Sequence, residues 1–205
     1  MAAPVRLVAF DVDGTLLRGA TVCELLAEPL GFAARMRELE RNLSREEDVR
    51  AASEEMAGWY AGRRYEELCQ PLRDVELAPG AVNGVRLLRE RGISVALVFV
   101  TWSFAVGVLA RRLGVDDCVG TDLLGDGTIR YFRPPHKADW LAERASSLGV
   151  ALDEVAAVGD SRGDWHMLRC AGRAYYVGPE VPPPELGALH RPAADIGHLV
   201  AEMLA

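Results

Sequence analysis

The sequence predicts an α/β fold: a doubly wound, mainly parallel sheet with a helical cap inserted after its first strand. Three observations predict it. Short apolar runs recur without polar alternation, as strands covered on both faces require. Helix-length stretches separate those runs, the signature of strand–helix alternation. Residues from about 21 to 75 break the rhythm, being rich in Glu, Arg, Ala and Leu with no strand-like run.

Val5 to Phe10 (V-R-L-V-A-F) is the first such run and stops at an acidic, Gly-containing turn, Asp11 to Thr15. That pattern predicts a buried strand entering a loop. In the segment that follows, apolar spacing near three and four predicts helices over 32–43 and 45–60, with Ser44 as N-cap of the second. The insert runs from 18 to 78, between Leu17 and Pro79-Gly80, and leaves 1–17 and 79–205 as the α/β core. Within that core, strands are predicted at 94–100, 154–158 and 174–177. Helices are predicted at 81–91, 104–113, 137–148 and 163–170. Cys118 to Tyr131 reads as a β-hairpin turning at Asp126-Gly127.

Composition narrows the partners. The chain has 205 residues, half of them hydrophobic and 26% charged. A chain of that size buries roughly 70% of its unfolded surface, so its core needs no staple. The longest apolar run, Val95 to Val100, is far short of a membrane span. The N-terminus runs straight into a strand without signal-peptide length, so the expected location is the cytoplasm. Lys and Arg total 23 against 30 Asp and Glu, a net charge of −7 without a dense basic run. Nucleic acid and anionic membrane surfaces are therefore not expected partners. Cys23, Cys69, Cys118 and Cys170 are too widely spaced for a metal or redox pair. Lys137 is the single lysine among 22 arginines.

In an open α/β sheet, ligands bind beyond the carboxyl ends of the strands. Asp11 and Asp13 follow the first strand, Thr101 the second, and Asp160 and Asp164 a later one, while Lys137 opens a helix after Pro134-Pro135-His136. Clustered carboxylates raise one another's pKa, and one ammonium does not balance four of them. A hard divalent cation does, which points to Mg²⁺. The remaining positive field suits a phosphoryl group, with Asp11 as nucleophile and an aspartyl-phosphate as intermediate. An ammonium also fits beside a carboxylate where a guanidinium fork is too wide.

These residues carry a resemblance. D-V-D-G-T at 11–15, Thr101, Lys137 and G-D-S-R-G-D at 159–164 look like the four motifs of the haloacid dehalogenase superfamily. The helical insert directly after the first motif resembles the phosphoserine-phosphatase-like branch, whose core is Rossmann-like and whose helical cap is small. The resemblance implies that Asp11 is nucleophile and metal ligand. It makes Asp13 the general acid/base, with a backbone carbonyl for Mg²⁺. Thr101 would bond a phosphoryl oxygen, Lys137 neutralise nucleophile and phosphate, Asp160 bind Mg²⁺, and Asp164 orient a metal water or Lys137.

The expected activity is hydrolysis of a small phosphorylated metabolite. In phosphoserine phosphatases a Glu after the first motif and an Arg in the cap hold the amino-acid end; an ungapped reading puts Ala20 and Met56 there. Missing that charged clamp, the site is expected to take another phosphomonoester. Trp102, Ser103 and Arg18 are the substrate-binding candidates, and Trp59, Tyr60, Tyr65 and His136 are weaker ones. Phosphoryl transfer to an acceptor hydroxyl and a non-catalytic binding role on the same fold remain alternatives.

Overall fold

The computed structural model describes residues 3–43 and 45–205, so Ser44 and its N-cap role lie outside the described residues. Its sheet has seven strands in the order β4-β3-β2-β1-β5-β6-β7. These are β1 Leu7–Phe10, β2 Ser94–Trp102, β3 Asp117–Leu123, β4 Ile129–Arg130, β5 Val155–Gly159, β6 Arg173–Tyr176 and β7 Leu189–His190. All neighbours are parallel except β3 and β4, the predicted hairpin.

Strand periodicity explains why the central runs are continuously apolar. Successive side chains alternate faces, so Val8, Phe10, Leu97 and Phe99 enter one core while Leu7, Ala9, Ala96 and Val98 enter the other. Helices of the α/β frame cover both layers. α6 (Ala81–Glu90), α7 (Ser103–Leu113) and α10 (Ile196–Met203) bury Val85, Leu109 and Leu199 in the first core. α8 (Pro134–Ser147) and α9 (Trp165–Cys170) bury Leu141 and Met167 in the second.

The insert holds more helices than its periodicity suggests. α2 (Ala33–Arg41) and α3 (Glu46–Tyr60) match the two expected, but α1 (Val22–Ala27), α4 (Tyr65–Leu68) and α5 (Gln70–Asp74) are added. α1 is too short to show a period; its signal is a capping box. Thr21 Oγ1 accepts from the backbone N–H of Glu24, and the Glu24 carboxylate accepts from Thr21 N–H, each at 3.1 Å. β7 and α10, at the end of the chain, are further elements that the sequence pattern does not predict. α10 is N-capped by Asp195, whose Oδ1 accepts from His198 N–H at 2.9 Å.

An aromatic cluster joins insert to core. Tyr60 packs edge-on to Trp102 and Phe104, both with ring centroids 5.8 Å away, while Tyr65 stacks on Phe104 at 4.3 Å. Among the described residues no helix is long and apolar enough to cross a membrane.

Because β2 is buried on both faces, its apolar side chains have no room to be shortened cheaply. Leu97→Ala is expected to cost about 2–5 kcal/mol of stability, read as a lower urea midpoint at unchanged slope. A loss below about 0.5 kcal/mol, the level of a surface substitution, would contradict this core assignment.

Candidate active site

Parallel strands bring remote residues to one edge. Asp11 follows β1, Thr101 lies near the end of β2, and Asp160 follows β5. The first turn of α8 reaches the same edge and supplies Lys137. Its Nζ donates to Asp11 Oδ1 at 2.5 Å and to Asp164 Oδ1 at 2.6 Å. Lysine, Asp11 and Asp164 are all buried.

Asp164 is committed to protein donors. Its second oxygen accepts from the backbone N–H groups of Asp160 and Ser161, each at 3.0 Å, and from the Ser161 hydroxyl at 3.1 Å. This carboxylate fixes both the Asp160 loop and the lysine, which leaves it less capacity for a cation than Asp160 has. Gly14 supplies the close approach on the opposite side. It has φ +77°, and a Cβ there would lie 2.0 Å from Asp160 Oδ2.

One carboxylate oxygen each from Asp11, Asp160 and Asp164 lies within 4.8 Å of the others. Three carboxylates and one ammonium carry two net negative charges, and their all-oxygen donor set suits a hard divalent cation. The protonation balance agrees. Burial alone would lower the pKa of Lys137, but Asp11 and Asp164 outweigh it and hold the lysine charged. Burial and Asp164 push Asp11 upward against the pull of that lysine. Burial, followed by Asp164, pushes Asp160 up to about 6. Without a further cation, the cluster resists full ionisation.

Asp13 stands outside that carboxylate group. Its Oδ1 accepts from Val22 N–H at 2.8 Å. Burial pushes its pKa up to about 7, with Val22 N–H opposing and the Glu40 charge adding to the rise. The metal role read for Asp13 rests on its backbone carbonyl, not on this side chain. Asp13 and Thr101 share a cavity of about 210 Å³ between the insert and the core, walled by Met36, Met56, Val100, Trp102 and Phe132. The Thr101 hydroxyl accepts from Cys23 Sγ at 4.0 Å.

The expected substrate-binding residues fall differently. Trp102 lines the cavity but is only 1% exposed, its ring packed with Tyr60 and Phe104. Ser103 and Arg18 do not line this cavity. Ser103 starts α7 and its hydroxyl donates to Asp122 Oδ1 at 2.6 Å. Arg18 turns toward the C-terminal segment, donating to the carbonyls of Ala193 and Ala194 at 3.1 and 2.8 Å. It also lines a second pocket together with Gly14 and Asp160. Trp59 stacks on Phe32 at 4.6 Å, Tyr65 donates to Leu123 O at 3.0 Å, and His136 accepts from Arg133 N–H at 3.1 Å. Cys23, Glu40 and Arg133 line the cavity and escape the sequence reading. Glu40 has no local sequence signal, being one of several charged residues on a predicted helix.

A model of the family described as haloacid dehalogenase-like hydrolase matches residues 8–169. A phosphoserine phosphatase of Mycobacterium tuberculosis is 31% identical over 175 residues, which are 82% of this chain and 42% of that protein. One from Archaeoglobus fulgidus is also 31% identical over 175 residues, covering 82% of this chain and 51% of its own length. The chain thus spans about half the length of these relatives or less. Among solved structures, a phospho-aspartyl intermediate analogue of phosphoserine phosphatase superposes with a TM-score of 0.77 at 20% identity, covering 99% and 100% of the two chains. A HAD family hydrolase from Salmonella enterica gives 0.83 at 19%, covering 98% and 72%. At such identities the likeness shows a shared fold. The relatives' names give no support to the expectation of a substrate other than phosphoserine.

Asp13 and Asp160 keep their protons to higher pH in the folded chain than the ordinary carboxylate value of 3.8 allows when unfolded. The folded state therefore binds more protons as pH rises from about 4 to about 7, and metal-free stability falls across that window. A thermal-denaturation series from about pH 5.5 to 8 should show the midpoint dropping without divalent cation. Millimolar Mg²⁺ should restore it more at the alkaline end. A midpoint that rises with pH and ignores Mg²⁺ would contradict the charge balance described.

Proposed function

The chain belongs to the haloacid dehalogenase-like hydrolase family, and on that footing we propose that it is a Mg²⁺-dependent phosphomonoester hydrolase with Asp11 as nucleophile. The observation that supports this reading is the buried Lys137 bridging Asp11 and Asp164 beside a third carboxylate, with Asp13 and Thr101 on the wall of a neighbouring cavity. A purely structural ion pair would need neither the third carboxylate, Asp160, nor a neighbouring pocket.

Lys137 holds one oxygen of Asp11 and leaves the other for phosphorus. Attack forms the Asp11–phosphorus bond as the ester oxygen departs. Asp13, with its pKa near 7, gives that oxygen its proton, then takes one from the water that hydrolyses the aspartyl-phosphate. The Thr101 hydroxyl donates to a phosphoryl oxygen. Asp11, Asp160 and the backbone carbonyl of Asp13 would hold Mg²⁺, with Asp164 behind them; when bound, the ion offsets phosphate charge and spreads that of the transition state. Residues 18–78 act as a cap that excludes bulk water from the intermediate.

For the substrate, the relatives named phosphoserine phosphatases favour phosphoserine as a second reading. Against it stands the cavity wall, where Met56 presents a thioether and Ala20 is not part of the lining. The reading we favour is a small phosphorylated metabolite other than phosphoserine.

Asp11→Asn should abolish p-nitrophenyl phosphate hydrolysis while circular dichroism and melting behaviour stay native-like. Chelation should silence the wild-type enzyme and added Mg²⁺ restore it. Retained turnover in a folded Asp11→Asn variant, or full activity after exhaustive chelation, would sink the mechanism.

A further inference from the structure

Resting on the phosphatase reading, the cavity carries one further specification: the class of alcohol that is released. Glu40 reaches the cavity from α2 and shares its wall with Met36, Met56 and Trp102. One oxygen of Glu40 accepts from the Thr21 hydroxyl at 2.6 Å, and the other has no hydrogen-bond partner among the described residues. The same stretch of chain also holds Asp13, through Val22 N–H. Glu40 is thus fixed at one end, beside the residue that faces the leaving group. Burial pushes its pKa up, so the bare carboxylate is incompletely compensated by its surroundings.

The basic groups at or near this cavity each have acidic partners. The Arg133 guanidinium lies 4.5 Å from the Tyr131 ring centroid and pairs with Glu46 at 3.3 Å. Lys137 is held by Asp11 and Asp164. A carboxylate on the leaving group would meet Asp13 and Glu40, where like charges at close range repel, and could reach a cation on the wall only by drawing Arg133 from Glu46. An ammonium would meet the free oxygen of Glu40 in a charge-assisted hydrogen bond.

We propose that Glu40 is a specificity-determining residue that selects phosphate monoesters of amino alcohols lacking a carboxylate. Such a substrate is dianionic at the phosphoryl end, toward Lys137, and cationic at the other. The short carbon chain between them fills the methionine-lined part of the cavity.

Ethanolamine phosphate and n-propyl phosphate differ in replacing an ammonium by a methyl group, so their kcat/KM ratio isolates Glu40's contribution. In the wild type that ratio should be about tenfold or more, the scale of one charge-assisted hydrogen bond. Ethanolamine phosphate should also exceed phosphoserine by a similar factor. Glu40→Gln should bring the ethanolamine-to-propyl ratio to within about threefold of unity, because any effect through Asp13 touches both esters alike. Met56→Arg, which adds a cation to the wall, should shift the ratio of phosphoserine to ethanolamine phosphate in favour of phosphoserine. A wild-type preference for phosphoserine or propyl phosphate, or an unchanged ratio in the folded Glu40→Gln variant, overturns the inference and leaves the phosphatase reading intact. Absence of turnover on all three esters and on p-nitrophenyl phosphate overturns both.

Discussion

A buried ammonium held between two carboxylates is the constraint from which the rest of this molecule follows. Lys137 comes from the start of α8, Asp11 from the end of β1, and Asp164 from the turn after β5. Taking these charges out of water costs several kcal/mol per ion, and that cost is met only when geometry and further hydrogen bonds are good. Here they are: Asp164 accepts from three additional donors. Removing the ammonium would leave the buried carboxylates uncompensated, the kind of change that destabilises by about 3–5 kcal/mol. The same arrangement that fixes three segments of chain also leaves Asp11 with one oxygen free and a residual negative charge beside it. On the proposed function, stability and reactivity share one set of atoms.

Charge balance then connects the core to the cavity. Asp13 and Glu40 are both raised by burial, and both are tied to the Thr21–Val22 step that opens α1. A helix of six residues would be marginal alone. Packed between insert and core, with its capping box formed, it holds two carboxylates at defined depth over the strand edge. The helical insert is therefore more than a cover. It contributes Glu40 to the cavity wall, while the loop after β1 contributes Asp13.

Much of this is legible without any coordinates. Continuous apolar runs at 5–10, 94–100 and 154–158 name the three central strands, because only a doubly covered parallel sheet needs both faces apolar. Acidic residues directly after two of those runs, with one lysine in an arginine-rich chain, point to the cluster. What stays hidden depends on tertiary context. α1 is too short for periodicity, and α8 begins three residues before the expected start, at Pro134, since proline at the first helical turn is a start signal and not a barrier. Arg18 and Ser103 lie close in sequence to motif residues, yet their donors turn to the C-terminal carbonyls and to Asp122. Proximity along the chain could not distinguish them from residues of the cavity that Asp13 and Thr101 share. Glu40 is the converse case, remote in sequence and unremarkable in composition.

The central claim is that the Lys137-held carboxylate of Asp11 is itself the phosphoryl acceptor. Rapid quenching of the enzyme during turnover, followed by borohydride reduction and peptide mass spectrometry, tests it most directly. An aspartyl-phosphate is reduced to homoserine, so this account predicts homoserine at position 11. Phosphate found on a serine, threonine or histidine, or an unmodified Asp11 under conditions of steady turnover, would contradict it.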